Sequence, residues 1–93
     1  MSFELRFKTE ALDEWRRLDG TLREQFKKKL AERLENPCVP SAKLSGHAAR
    51  YKIKLRSAGF RLVYEVRDSE LVILVIADGK RERNAVYQVA AKR

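Results

Sequence analysis

Apolar and polar residues alternate in three segments of the chain. The alternation runs through residues 2–7, 50–56 and 60–66, and it has the two-residue period of a half-buried β-strand. A fourth segment, 70–77, is apolar almost throughout, which is typical of a strand in the interior of a sheet. The sequence therefore predicts four strands.

Apolar residues at helical spacing fill the region after the first strand. They fall at Leu12, Trp15 and Leu18. This spacing predicts a first helix that begins at Thr9 and ends at Gly20, because glycine readily adopts the left-handed conformation that closes many helices.

A second helix is predicted to follow directly. The tetrapeptide TLRE resembles a capping box, with Thr21 at the N-cap and Glu24 three residues later. One apolar stripe then continues at four positions, Leu22, Phe26, Leu30 and Leu34. The helix should stop at Asn36 and Pro37.

These elements together predict an α+β fold. The two helices form an antiparallel hairpin, and their apolar stripes need a sheet to cover them. Residues 82–93 carry Val86, Val89 and Ala90 at helical spacing, which favours a short C-terminal helix. We expect a small, mostly antiparallel sheet of about four strands, covered by the N-terminal helical hairpin, in one domain over residues 1–93.

The composition adds a strong basic charge to this picture. The chain has 21 Lys and Arg against 13 Asp and Glu, a net charge of +8 and a pI of about 10.0. Such a charge suits a polyanionic partner such as nucleic acid, although it also occurs on merely solvated surfaces. No apolar run reaches the length of a membrane span, and Cys38 is the only cysteine, so we expect a cytoplasmic protein without an intramolecular disulfide.

Four cations gather in YKIKLRSAGFRLVYEV, residues 51–66. Lys52, Lys54 and Arg56 alternate with apolar residues and share the face opposite the core. The turn decides where Arg61 points, because residues directly opposed in a hairpin share a face. An even-numbered loop places Arg61 on the cationic face, whereas an odd one would bury an unpaired ion at a cost of several kcal/mol. We therefore expect an even loop.

A two-residue turn at Ala58 and Gly59 would set the register of this hairpin. It pairs Arg56 with Arg61, Lys54 with Val63, and Lys52 with Glu65. Solvated lysines that protect an exposed strand are another interpretation of the same face. Against it, residues 43–64 contain six Lys and Arg and no Asp or Glu, whereas a solvated surface usually mixes the two signs.

Basic and aromatic residues also interleave in GKRERNAVY, where Lys80, Arg81 and Arg83 precede Tyr87. Arginine binds phosphate with two parallel donors, and a tyrosine ring can stack on an unpaired base for roughly 1–3 kcal/mol. This combination suits RNA. The other interpretation of Tyr87 is a ring that packs into the core from the last helix.

Four segments together resemble the RelE family of toxins from bacterial type II toxin–antitoxin modules: ALDEWRRL, REQFKKKL, YKIKLRSAGFRLVYEV and GKRERNAVY. They occur in the family's order and spacing, and the resemblance covers essentially all 93 residues. It implies the same fold and cleavage of messenger RNA in the ribosomal A site. It also implies a RelB-type antitoxin that wraps the toxin and blocks it.

The resemblance further implies an active site of five residues, Lys52, Lys54, Arg61, Arg81 and Tyr87. In that family the ribose 2′-hydroxyl attacks the adjacent phosphorus and leaves a 2′,3′-cyclic phosphate and a 5′-hydroxyl end. No metal or other cofactor is implied, and His47 is the only histidine of the chain.

Without a histidine pair, other side chains must move the protons. Arg61 and Arg81 keep their charge at any working pH, so we expect them to clamp the negative charge that develops on the phosphate. Lys54 is the candidate general base, because neighbouring cations lower a lysine pKa. Lys52, beside Glu65 in the predicted register, should stay charged, and Tyr87 should orient or stack a base.

Eight further cations are candidate RNA contacts: Lys27, Lys28, Lys29, Lys43, Arg50, Arg56, Lys80 and Arg83. The lysine run on the second helix is expected to bind ribosomal RNA, with a solvated helix face as the alternative. Two other functions remain open at this point. One is inhibition of DNA gyrase by a ParE-type toxin of the same fold, and the other is RNA binding without catalysis.

Overall fold

The computed structural model describes residues 3–44, 46, 49–80 and 85–93. The principal elements in chain order are β1 (Glu4–Phe7), α1 (Thr9–Arg17), α2 (Gly20–Glu35), β2 (Arg50–Leu55), β3 (Phe60–Arg67), β4 (Val72–Lys80) and α3 (Ala85–Lys92). Short 3₁₀ turns lie at Pro40–Ala42 and Asp68–Glu70. Within these described ranges no helix combines the length and the apolarity needed to cross a membrane.

The four strands form one sheet in the order β1-β4-β3-β2. β4 pairs in parallel with β1 and antiparallel with β3, and β3 pairs antiparallel with β2. The prediction of a mostly antiparallel sheet of four strands is therefore confirmed. The apolar segment predicted to be interior is β4, which has a neighbour on each side.

The helical hairpin is confirmed, but its connection differs from the prediction. α1 ends at Arg17, and Gly20 is the first residue of α2 instead of the end of α1. Asp19 is the N-cap, and its side chain accepts a hydrogen bond of 3.4 Å from the backbone N–H of Thr21. Thr21 thus lies inside the helix. Asp19 thus has the capping role that the sequence interpretation assigned to Thr21, and it satisfies a free N–H two residues earlier in the chain.

The main core lies between the helical hairpin and one face of the sheet. Its fully buried members include Phe26 and Leu30 from α2 and Ile53, Leu62 and Tyr64 from the sheet. Their positions match the predicted apolar stripe and the predicted inward faces of β2 and β3. A smaller cluster covers the opposite face, where α3 packs on the sheet. Its buried members are Val63, Ile76, Ala77, Val86 and Ala90.

The register of the β2–β3 hairpin is shifted by two residues from the predicted one. Lys54 lies opposite Arg61, Lys52 opposite Val63 and Arg50 opposite Glu65. The three predicted pairs are therefore wrong, although the even parity, which decides the face of Arg61, is correct.

Hydrogen bonding in the turn explains the shift. The N–H groups of Ala58 and Gly59 both donate to the carbonyl of Leu55, at 3.2 and 2.8 Å, so residues 56–59 form the turn. Gly59 has a φ of 71°, a left-handed conformation that glycine adopts without steric cost. Four turn residues in place of two preserve the parity and move Arg56 out of the strand.

A β-bulge interrupts the pairing of β3 with β4. Val63 pairs with Ala77 and Tyr64 with Val75, so Ile76 is the extra residue on β4. Beyond the bulge Asp78 pairs with Leu62, a core residue. Because directly paired residues share a face, the bulge turns Asp78 toward the side of the sheet that α1 covers.

Candidate active site

Three of the predicted site residues lie together on the face of the β2–β3 hairpin that is opposite the main core. Lys52 and Lys54 alternate with buried neighbours along β2, and Arg61 stands across from Lys54 on β3. All three side chains are partly exposed. Val63 shares this face but is buried beneath α3. Lys52, Lys54 and Arg61 therefore lie beside the area where α3 packs on the sheet.

Tyr87 joins this group from α3. Its ring packs against the smaller apolar cluster, and its hydroxyl accepts a hydrogen bond of 2.9 Å from Nη1 of Arg61. The guanidinium carbon of Arg61 lies 5.2 Å from the centre of the ring. The Tyr87 ring therefore packs partly into the fold, as the core interpretation predicts, while its hydroxyl meets the cations; its stacking on a base stays a prediction.

The cations on this face alter the acidity of Lys54. Lys52 is the principal cause, followed by partial burial and by Arg61 and Arg56, and together they lower the pKa of the Lys54 ammonium below its ordinary value. The direction agrees with the expectation from charge crowding. A lysine in this setting gives up its proton more readily than an isolated one.

The expected pairing of Lys52 with Glu65 is wrong. Glu65 accepts hydrogen bonds from Arg50 at 3.3 Å and from Arg67 at 3.0 Å. Burial acts to raise the pKa of Glu65, but these two arginines outweigh it and hold the pKa below its usual range. Lys52 instead faces Val63 across the hairpin. The two lysines therefore have no acid opposite them.

Two grooves open beside these cations. One, of about 550 Å³, runs between α2 and the hairpin and is lined by Gln25, Lys28, Lys29, Lys54, Leu55, Arg56 and Ser57. The other, of about 240 Å³, is lined by Arg33, Ser41, Ala42, Lys52, Lys54 and Arg56. Lys54 and Arg56 belong to both grooves, so the cationic face continues onto α2. Lys28 and Lys29 from the predicted lysine run take part in it.

Arg33 is a site residue that the sequence interpretation missed. Its Nη1 donates to the carbonyl of Lys52 at 3.2 Å and to the hydroxyl of Tyr64 at 2.9 Å. Tyr64 in turn donates to the carbonyl of Pro37 at 2.6 Å. The sequence offers only a partial signal: Arg33 follows Leu30 by three residues and so falls beside the apolar stripe, but its partners lie far away in the chain.

The remaining predicted RNA contacts have different surroundings. Lys43 and Lys80 are exposed, and Lys27 forms an exposed ion pair of 3.4 Å with Glu24. Arg50 is engaged within the fold, where it contacts Glu65 and donates to the carbonyl of Ala90 on α3. Its predicted contact with RNA therefore competes with two internal partners.

Arg81 and Arg83 lie outside the described residues, so their predicted roles stay predictions. The strand that leads to them ends at Lys80, which pairs with Phe60. Among the residues that are described, no group of three or more His, Cys, Asp or Glu side chains is arranged to hold a metal ion.

Comparison with known proteins bears directly on this arrangement. A family model described as "ParE toxin of type II toxin-antitoxin system, parDE" matches residues 5–85. The "mRNA interferase toxin RelE" of Escherichia coli (strain K12) is 55% identical over 93 residues, which is 100% of this chain and 98% of the relative. The chain belongs to the RelE/ParE family of toxins.

Other members of the RelE/ParE family match as completely. A "Putative RelE-like toxin protein" of Escherichia coli is 52% identical over the whole chain and 98% of the relative. A structure of a mutant of E. coli toxin RelE in the free state matches with a TM-score of 0.92 and 53% identity, covering 100% of this chain and 98% of that one. The RelE-like fold expected from the sequence is confirmed.

One match is a toxin seen with its antitoxin. A chain of the intact E. coli RelBE toxin–antitoxin complex matches with a TM-score of 0.85 and 54% identity. The match covers 88% of this chain and 100% of that chain. RelE toxins of this similarity are thus known both free and in a complex.

Proposed function

We propose that the protein is a toxin that cleaves messenger RNA in the A site of the ribosome and so stops translation. The observation that carries the proposal is the cluster of Lys54, Arg61 and Tyr87, in which a lysine of lowered pKa stands opposite an arginine that is hydrogen-bonded to a tyrosine. The relatives named as mRNA interferases support it, since their similarity extends over the whole chain.

The proposed reaction is an in-line transfer at phosphorus. The ribose 2′-oxygen forms a bond to the adjacent phosphorus as its proton moves to the amine of Lys54, and the bond to the 5′-oxygen breaks. The 5′-oxygen takes up a proton from water and Lys54 later returns its proton to the solvent, which leaves a 2′,3′-cyclic phosphate and a 5′-hydroxyl end. The lowered pKa of Lys54 supports its role as the base, because more of the amine is then free near neutral pH.

The other site residues are assigned to charge and position. Arg61 and Arg81 bind the phosphate oxygens, whose negative charge grows in the transition state. Lys52 adds a further positive charge on the same face. Tyr87 holds Arg61 by its hydroxyl and offers part of its ring to a base. We propose a reaction without a metal ion, because these cations supply the charge stabilisation.

The ribosome has a definite part in this proposal. Lysine is a weak general base near neutral pH, and the arginines bind charge without transferring protons. Much of the rate must therefore come from holding the RNA in the reactive geometry. A message fixed in the A site supplies that geometry. We propose that Lys28 and Lys29, in the groove that leads to Lys54, bind phosphates of ribosomal RNA.

A RelB-type antitoxin is the proposed partner that neutralises the toxin. The similarity to the toxin chain of the E. coli RelBE complex supports this pairing. An antitoxin that covers the cationic face would exclude RNA from Lys52 and Lys54. The net charge of +8 favours a partner that presents acidic groups to that face.

The direct test is an in vitro translation reaction in which message ends are mapped by primer extension, with and without ribosomes. We expect ribosome-dependent cuts within the A-site codon from the wild-type protein. Arg61→Ala should lose them, whereas Lys27→Ala, which removes a cation outside both grooves, should keep them.

A second candidate function is inhibition of DNA gyrase, which the name of the matching family model favours. Intact message in the presence of ribosomes would contradict the nuclease proposal. A gyrase supercoiling assay with the same protein then decides for the second candidate. RNA binding without catalysis would appear as retained ribosome binding with uncut message.

A further inference from the structure

Asp78 carries a carboxyl group into the interior of the protein. Asp78 as a whole is only 3% exposed, because the bulge at Ile76 turns its side chain toward α1. Neither carboxyl oxygen has a hydrogen-bond partner among the described residues. A buried carboxylate without a partner costs several kcal/mol, so this group is held in an environment that favours its neutral form.

The neighbour of Asp78 is a second carboxyl group that is already engaged. Oε1 of Glu14, on α1, accepts a hydrogen bond of 3.3 Å from the backbone N–H of Asp78. The same carboxylate accepts two hydrogen bonds from Arg93, at 2.8 and 3.2 Å. Arg93 also donates to the carbonyl of Ile76 at 2.9 Å. The guanidinium is thus paired with Glu14 and not with Asp78.

This cluster fastens the end of α3 to the body of the protein. Arg93 directly follows the helix, and its backbone oxygen accepts a hydrogen bond of 2.8 Å from Nζ of Lys8. Arg50 adds a contact to the carbonyl of Ala90. Tyr87 lies three residues before Ala90 on the same short helix. The position of its hydroxyl against Arg61 therefore depends on how firmly the end of α3 is held.

A cavity of about 180 Å³ adjoins the two carboxyl groups. It is lined by Glu14, Ala77, Asp78, Gly79, Lys80, Val86 and Val89, and so includes residues of α1, β4 and α3. Other charged groups near the cluster are Glu10 on α1, which acts on Arg93, and Lys8. The cavity gives water a place to enter beside Asp78 without unfolding the sheet.

We propose that Glu14 and Asp78 are positioning residues that act through Arg93 to hold α3, and that loss of the Asp78 proton weakens this hold on Tyr87. The consequence for catalysis rests on the proposed nuclease function, whereas the mechanical link to α3 does not. The neutral acid leaves Arg93 fully paired with Glu14. An ionised Asp78 competes for the same guanidinium or draws water into the cavity, and either response loosens the contact between α1 and the end of α3.

Burial and the charges around Asp78 place the loss of its proton near neutral pH. Burial is the main cause, Glu14 adds to it and Arg93 opposes it, and together they raise the pKa of Asp78 to about 7. We therefore expect α3 to be held more firmly below that pH than above it. The predicted effect is a gradual loosening of one short helix, with the sheet unchanged.

Hydrogen exchange of the full chain tests the link without any nuclease readout. We expect the protection factors of the α3 amides, which are corrected for intrinsic exchange, to fall about tenfold in the wild type as the pH rises through about 7. Asp78→Asn cannot ionise and should show no such fall. Glu14→Gln should lower α3 protection on both sides of that pH. Amides of β3 serve as the internal control.

The same variants on the ribosome separate this proposal from the nuclease function. If the nuclease function holds, the wild-type kcat should rise less steeply above about pH 7 than the ionisation of Lys54 alone would make it rise. Asp78→Asn should restore the steeper rise, and KM should change little in either protein. Exchange that follows the expected pattern with uncut message would support the link and contradict the nuclease function. An α3 protection profile in Asp78→Asn that matches the wild type across pH would overturn the link.

Discussion

Arg61 donates a hydrogen bond of 2.9 Å to the hydroxyl of Tyr87 and so joins β3 to α3 at the cationic face. This contact fixes the guanidinium of Arg61 in one orientation while leaving further N–H groups for a phosphate. It also ties the candidate active site to a helix of only eight residues. The geometry of the site is therefore sensitive to a single hydroxyl group.

Replacement of that hydroxyl gives the first prediction. Tyr87→Phe keeps the ring and removes the hydrogen bond, so we expect a loss of about 3- to 10-fold in the cleavage step, as for a typical hydrogen bond of about 1 kcal/mol. Tyr87→Ala should lose a further factor that corresponds to roughly 1–3 kcal/mol of stacking. Single-turnover cleavage on programmed ribosomes measures both. Equal rates for Tyr87→Phe and the wild type would show that the hydrogen bond does not matter for the reaction.

The proposed base gives the second prediction. Lys54→Ala should slow cleavage by about 10²- to 10⁴-fold, the range of general acid–base catalysis. Lys54→Arg preserves the positive charge but cannot accept a proton near neutral pH, so it should be nearly as slow as Lys54→Ala. The two variants together separate charge from proton transfer. A rapid Lys54→Arg would assign Lys54 to charge stabilisation alone.

The pH dependence of cleavage follows from the same residue and is the third prediction. A base must be deprotonated to act, so the wild-type rate should rise with pH and level off below about 10.4, the ordinary pKa of lysine, because neighbouring cations lower the pKa of Lys54. Lys52→Ala removes the principal neighbouring charge and should move the plateau to higher pH. A profile that is unchanged in Lys52→Ala would contradict the electrostatic coupling of the two lysines.

Stability should also depend on pH through Asp78, which is the fourth prediction. The folded protein raises the pKa of Asp78 from 3.8 to about 7, so it binds the proton more tightly than the unfolded chain does. The contribution of Asp78 to stability is therefore largest below about pH 4, is lost progressively up to about pH 7 and stays constant above that. Asp78→Val has no carboxyl group to ionise, so it removes this pH-dependent loss of stability. Valine is also favoured in the middle of a strand.

Urea unfolding of the variant and the wild type over this pH range measures the effect. The stability difference in favour of Asp78→Val should grow by a few kcal/mol between about pH 4 and pH 7, since each pKa unit corresponds to about 1.4 kcal/mol. Asp13→Asn makes the same charge change at an exposed position of α1 and is the control. A constant difference across the range would mean that Asp78 is not a protonated buried acid.

The secondary structure was predictable because its signals are local. Alternation in β2 and β3 and the apolar stripe of α2 follow from the geometry of strands and helices and need no long-range information. The face of Arg61 was also predictable, because burying an unpaired cation is costly whatever the turn. Lys52, Lys54 and Arg61 therefore share a face, as the sequence interpretation expected, although their partners across the hairpin differ from the predicted ones.

The features that were missed depend on choices that sequence patterns leave open. Loops of two and four residues have the same parity, and only the double hydrogen bond to the Leu55 carbonyl selects the longer one. The inward turn of Asp78 depends on the bulge at Ile76, which has no signature in an apolar run. Arg33 was overlooked because its partners, the Lys52 carbonyl and Tyr64, come from distant parts of the chain.

The lysine run of α2 gives the last prediction, because its three lysines have different surroundings in the structure. Lys28 and Lys29 line the groove that leads to Lys54, whereas Lys27 lies outside it and pairs with Glu24. If the groove binds ribosomal RNA, replacing Lys28 and Lys29 together by alanine should weaken ribosome binding and reduce the slope of log K against log salt by about 1–2, since each phosphate contact to structured RNA releases about one counterion. Lys27→Ala should leave the slope nearly unchanged. Equal slopes for all three proteins would show that α2 faces solvent on the ribosome, and the RNA contacts would then be confined to the hairpin and α3.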